Sequence, residues 1–168
     1  MDLTSNDPTY GGFSASLILS NVSYTKQVGE NEVELKALVD AIRCRQTDAE
    51  WSYRYLHEYS TTESLDVAED LDGRIPEPAL LFAMKLHSGR KADTRDLVII
   101  SLHTEFDRIE RHIHRGDPEK LNGQIQMVLD RLQQDGFEDS FKGVFRQQEL
   151  PVDAIDDLVL FLSEQRDQ

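Results

Sequence analysis

The chain has 168 residues and a formal net charge of −14, from 32 acidic and 18 basic side chains; that length suits one domain, or one domain with an appended helical lobe, and can bury a proper core. The acidic excess disfavours nonspecific nucleic-acid binding at low salt, because chain and phosphates repel. Cys44 is the single cysteine, so an intrachain disulfide is excluded and a reducing interior is expected.

Residues 1–12 are polar with Pro8, Gly11 and Gly12, and read as loose. They carry neither the basic region nor the apolar core of a signal peptide, and no apolar run approaches the ~20 residues of a membrane span. A cytoplasmic protein without membrane contact is expected. The β-branched and apolar content of residues 13–24 predicts a strand. Gly29 breaks the chain, and Asn31 with Glu34 resembles a capping box. Leu35, Leu38, Val39 and Ile42 then predict an amphipathic helix of about three turns, ended by Thr47 and Asp48, with Cys44 as a small semi-buried filler. Trp51, Tyr53, Tyr55, His57 and Tyr59 alternate with Ser52, Arg54, Leu56 and Glu58, which predicts a strand with an aromatic face packed on a sheet. A polar stretch, 61–74, follows.

From Pro76 onward the pattern is helical. Pro76 and Pro78 suit a helix start, Leu80, Leu81, Ala83 and Met84 form its apolar side, and Gly89 suits its C-cap. Asp93 begins the next helix, with Leu97, Ile100, Phe106 and Ile109 turned inward. Asp117 and Pro118 open another, whose core face is Leu121, Ile125, Val128, Leu129 and Leu132. Phe137, Phe141, Val144 and Phe145 repeat the spacing, and Pro151 opens a last helix with Ile155, Leu158, Val159 and Leu162. The expected fold is α+β: a small N-terminal sheet with a helix over 1–75, then a C-terminal helical bundle over 76–168, together one compact unit.

Chemistry concentrates in one segment. Lys85 sits on an apolar helix, a turn with Arg90 and Lys91 follows, and Asp93 and Asp96 share one side of the next helix's first turn. A lysine at a buried face needs a carboxylate or a phosphate. Spacing alone allows a structural arrangement in which Asp93 caps the helix, Asp96 favours its dipole, and Lys85 or Arg90 makes an ion pair across the turn. His112 and His114 in a His-x-His helix spacing point about 200° apart and do not suit one metal; with His103 they read as exposed, and His57 and His87 as isolated. No metal site is expected.

The run Pro78, Leu81, Lys85, Leu86, Arg90, Lys91, Asp93, Asp96 resembles the helical segment that follows the catalytic sheet in nucleotidyltransferase-like proteins of the abortive-infection, type IV toxin kind. The resemblance covers about 25 residues and implies that the lysine contacts nucleotide phosphate while the aspartates hold the basic groups. It also implies a toxin–antitoxin setting, with a partner protein encoded nearby. Such enzymes need a Gly-Ser turn and a strand ending in paired acids that hold Mg²⁺. Before residue 60 this chain offers only Gly11, Gly12, Ser14 and Ser16, with no acid over 17–22, and the one Asp-x-Asp pair, Asp70 and Asp72, lies in the polar stretch. The expected function is therefore a catalytically silent or incomplete nucleotidyltransferase-like protein that binds a nucleotide or a partner protein. The alternatives are an active nucleotidyltransferase using Asp70 and Asp72 or a partner's acids, and a helical interaction module without ligand. The Asp-rich, dispersed charge also suits a salt-adapted surface.

Overall fold

A computed structural model describes residues 13–16, 23–28, 31–36, 41–64, 72–146 and 149–166. The expectations for residues 1–12 and 17–22, and for Gly29, Leu38, Val39 and Asp70, lie outside them. In chain order the elements are β1 (Phe13–Ser16), β2 (Ser23–Val28), β3 (Asn31–Lys36), β4 (Ala41–Cys44), β5 (Glu50–Ser52), α1 (Tyr53–Glu58), β6 (Ser60–Ser64), β7 (Asp72–Pro76), and α2 (Pro78–Ser88), α3 (Lys91–Ser101), α4 (Phe106–Ile113), α5 (Pro118–Leu132), α6 (Phe137–Phe145) and α7 (Val152–Arg166). The architecture is α+β. All pairings are antiparallel: β4 lies between β1 and β5, β2 pairs with β3, and β6 pairs with β7.

Three N-terminal expectations are corrected. The single strand over 13–24 is two, β1 and β2, which pair with different partners. The helix expected after Asn31 is instead β3 and β4. Val28 pairs with Asn31, and Thr25 with Glu34, so the apparent capping box belongs to a hairpin. Glu32, Glu34 and Lys36 alternate with Val33 and Leu35, a period of two that outcompetes the helical spacing. The aromatic strand over 51–59 ends at Ser52. Ser52 accepts a hydrogen bond from the Tyr55 backbone N–H and caps α1. Tyr53/His57 and Tyr55/Tyr59 are four residues apart, so alternation along a strand also stacks neighbours on a helix; the Tyr55 and Tyr59 rings lie 4.5 Å apart. The polar stretch 61–74 also contains most of the β6–β7 hairpin.

The helical half follows its apolar spacing. Pro78 is the first residue of α2, and Gly89 closes it with φ 59°, donating to the Lys85 carbonyl. Pro76 instead ends β7. Asp117 caps α5 by accepting from the Lys120 N–H. The helix expected from Asp93 through Ile109 breaks into α3 and α4 between Ser101 and Phe106. The main core joins Phe82, Leu86, Leu97, Ile109, Ile125 and Leu158 with their neighbours on α2–α7. A second, smaller cluster of Cys44, Ala49, Trp51 and Leu80 packs the strands and α1 on α2. No helix among the described residues is long and apolar enough to cross a membrane.

Candidate functional site

The α2–α3 turn brings four of the five candidate residues together. Gly89 reverses the chain, so α2's last turn faces α3's first. The Lys85 ammonium donates to Asp93 Oδ1 at 3.1 Å and to Asp96 Oδ2 at 2.6 Å. Asp93 Oδ2 also accepts from Arg90 Nε at 2.8 Å and from the Ser88 hydroxyl. The Asp93 side chain is 4% exposed, that of Lys85 21%. Asp93 is therefore not the helix cap. It is the third residue of α3, behind Arg90 at the N-cap, and its carboxylate turns back onto α2. Burial pulls the Lys85 pKa down, but hydrogen bonds to Asp96 and Asp93 outweigh it and hold the ammonium above the ordinary lysine value. Burial likewise pushes Asp93 up, and the donors Arg90, Ser88 and Lys85 bring it below the ordinary carboxylate value. Lys85, Arg90, Asp93 and Asp96 sum to zero charge. The network fastens two helices together.

Lys91, the fifth candidate, stands apart. It is exposed at the first position of α3 and lines a small cavity between α3, α5 and α6 with Thr94, Arg95 and Arg131. Sequence reading missed Arg95 and Arg131, because they are far apart in the chain and share no spacing. Asp72 begins β7, its backbone opposite Ser64. Among the described residues no group of three or more His, Cys, Asp or Glu is placed to hold a metal ion.

Two histidines read as exposed or isolated are buried. His87 lies on the inner side of α2, one residue past Leu86 and four past Ala83. Its Nε2 is 2.8 Å from the Ile113 carbonyl and its Nδ1 2.7 Å from the Thr47 hydroxyl. A carbonyl only accepts, so Nε2 carries the proton and the Thr47 hydroxyl donates to Nδ1. Burial, above all, depresses its pKa to about 4, with Arg115 and His114 adding to the effect against the Ile113 bond. His112 is held in the same way: Nε2–H donates to Glu77 Oε1 at 3.0 Å, and the Tyr55 hydroxyl donates to Nδ1 at 2.6 Å. Burial lowers its pKa as well, outweighing Glu77. Glu77 also takes an ion pair from Arg108 at 2.6 Å. The sequence signal for both was position: His112 falls three residues after Ile109, on the stripe that faces the core. Cys44 lies in the same seam, and its thiol donates to the His87 carbonyl at 3.1 Å.

Along α4, the end of α3 and α7 lie two adjoining grooves of about 630 and 410 Å³ that share Phe106 and Asp157. Leu102, Phe106, Val152, Leu160 and Phe161 give them apolar surface. The Phe106 and Phe161 rings stack at 4.4 Å, and Leu160 and Val152 are 62% and 57% exposed. Asp107, Glu110, Asp153, Asp157 and Glu164 edge them, and no lysine or arginine among the described residues lines either one. The wide apolar stripe of α7 hid this surface in the sequence, since Leu160 lies beside Val159 and Phe161.

No family model matches the chain, and neither a curated protein nor a solved structure is detectably similar to it.

Proposed function

We propose that this protein is a binding module for another protein, and that its ligand is a basic amphipathic helix seated in the α4–α7 groove. The observation that carries this reading is the groove itself, with exposed Leu160 and Val152 and five carboxylates among its lining residues. A cleft between two helices accepts a third by its apolar face, and an acidic rim attracts lysines and arginines flanking that face. This is the partner-protein branch of the role implied by the resemblance to nucleotidyltransferase-like toxins, with the neighbouring reading frame as the first place to look for the ligand. The nucleotide branch is less favoured because the Lys85 ammonium already serves two carboxylates. A phosphate there would compete with Asp93 and Asp96 inside a charge-neutral cluster. Salt adaptation of the acidic surface belongs to the same proposal: the partner contact then works in concentrated salt through the groove's apolar side chains, with charge setting orientation.

The test uses two synthetic 18-residue amphipathic helices, one of leucine and lysine, the other of leucine and glutamate. Saturable binding of the cationic peptide alone, weakened at least about tenfold by Leu160→Glu, is expected; a tenfold loss is about 1.4 kcal/mol. Equal binding of both peptides, or indifference to Leu160→Glu, removes the groove from the reading. Calorimetric titration with ATP and GTP runs alongside. Nucleotide binding that disappears in Lys85→Met would restore the nucleotide branch.

A further inference from the structure

We infer that the small cavity between α3, α5 and α6 is an oxyanion site that takes a phosphate group. Lys91 and Arg95 from α3 and Arg131 from the end of α5 line it together with Thr94, Ser140 and the turn into α6. Lys85, Arg90, Arg108, Lys120 and Lys142 are ion-paired to carboxylates; among the described residues, the three cations that converge on this cavity, Lys91, Arg95 and Arg131, are not. Asp135 is the one acid lining the cavity, and it makes no ion pair with them.

Both guanidiniums are instead steadied by neutral groups. Arg131 donates to the Gly89 carbonyl at 2.7 Å and to Met127 Sδ at 2.9 Å. Arg95 donates to Ser140 Oγ at 2.9 Å. Neutral acceptors fix the position of the charge without cancelling it, and each fork keeps N–H groups uncommitted. A second, independent observation is Thr94. It is 2% exposed, lines the cavity, and its hydroxyl has no hydrogen-bond partner. A buried unsatisfied hydroxyl costs about 1–3 kcal/mol, which a bound oxygen would recover. The N-termini of α3 and α6 both open at this cavity, with Lys91 and Phe137 as their first residues, and add positive dipole ends. Its volume is about 70 Å³, several times the ~10–15 Å³ that one water needs on the same measure, so one tetrahedral oxyanion fits. The ligand is inorganic phosphate or the terminal phosphate of a monoester whose remainder stays outside.

Inorganic phosphate titrated into the full chain, at ionic strength held constant with NaCl, should bind saturably and raise the melting temperature. Lys91→Ala, at an exposed side chain without a hydrogen bond or ion pair in the fold, should weaken binding about tenfold, the worth of one charge-assisted hydrogen bond. Thr94→Val should also weaken it while leaving the unliganded protein as stable or more so, because the unpaired hydroxyl is gone. AMP separates the sources: binding at least as tight as phosphate, with the same sensitivity to Lys91→Ala, assigns a phosphomonoester, and binding of phosphate alone assigns the free ion. Stabilisation no greater than that from matched NaCl, or binding unchanged in both variants, overturns the site. Leu160→Glu leaves phosphate binding unchanged in either case, so this result is independent of the groove.

Discussion

Two regions of this molecule are held together by different physics. The main core joins α2 to α7 through packed aliphatic and aromatic side chains, from Phe82 and Leu86 to Ile125 and Leu158. The seam between the strands and the helices has a small apolar cluster, Cys44, Ala49, Trp51 and Leu80, surrounded by oriented polar contacts: Thr47–His87–Ile113, Tyr55–His112–Glu77, and the Asp117 N–H on the Thr47 carbonyl. Apolar packing tolerates changes of pH and adjusts to small changes of shape. A hydrogen-bonded seam depends on tautomer, protonation and close backbone approach. The first region should therefore lose stability by volume, the second by charge and geometry.

The largest effect should come from the packed core. Phe82 is fully buried and meets Phe161 edge-on, so Phe82→Ala should cost about 3–5 kcal/mol. Urea melts at pH 5 and pH 7.5 should show the same loss. A loss that changes with pH would blur the distinction between the regions.

Gly116 probes the seam by geometry. Its φ is 75°, and an added Cβ would lie 2.2 Å from the Thr47 carbonyl oxygen and 2.5 Å from the Ala49 nitrogen. Both obstacles are backbone and cannot step aside. Gly116→Ala should cost about 2–4 kcal/mol, read in the same melts. Gly136→Ala, at φ 87° with open space around the new Cβ, should cost only the backbone strain of about 1–2 kcal/mol. Equal losses would mean that the approach at Gly116 is not tight.

His87 probes the seam by charge. Its folded pKa, about 4, lies below the ordinary 6.5. The unfolded chain therefore takes up a proton that the folded chain refuses. Stability from this group is complete above about pH 6.5 and is lost as pH falls toward 4. The loss should be on the order of 2–3 kcal/mol, and His112, lowered in the same sense, adds to it. Denaturation between pH 7.5 and 4.5 measures the slope. His87→Gln should flatten it, and an unchanged slope in that variant would remove His87 as its source.

The α2–α3 network should give the smallest change. Lys85→Met keeps the stem's packing and removes two charged hydrogen bonds, but Asp93 retains Arg90 and Ser88. A loss of about 1–2 kcal/mol in thermal melts is expected. No loss at all would mean that the ammonium contributes nothing to joining the two helices.

From sequence alone, the helical half was legible. Leu121, Ile125, Val128, Leu129 and Leu132 are buried along one side of α5, and Pro78, Gly89 and Asp117 stand where their backbone preferences put them. Caps and periodicity act within one or two turns, so neighbouring residues suffice to read them. The strands were not legible. Residues 31–44 and 51–59 satisfy periods of two and of 3.6 at once; strand pairing decides the first for β3 and β4, and the Ser52 cap decides the second for α1. The proximity of Lys85, Arg90, Asp93 and Asp96 could be read from one turn of chain. Which cations stay unpaired could not: Lys85 spends its charge on its neighbours, while Lys91, Arg95 and Arg131 keep theirs, because α5 and α6 reach that cavity with Asp135 as the only carboxylate on its lining. Burial of His87 and His112 was decided in the same way, by elements that arrive from elsewhere in the chain with a carbonyl, a hydroxyl and a carboxylate to satisfy each ring. Local sequence sets what a segment prefers; long-range contact sets what each polar group has left to offer.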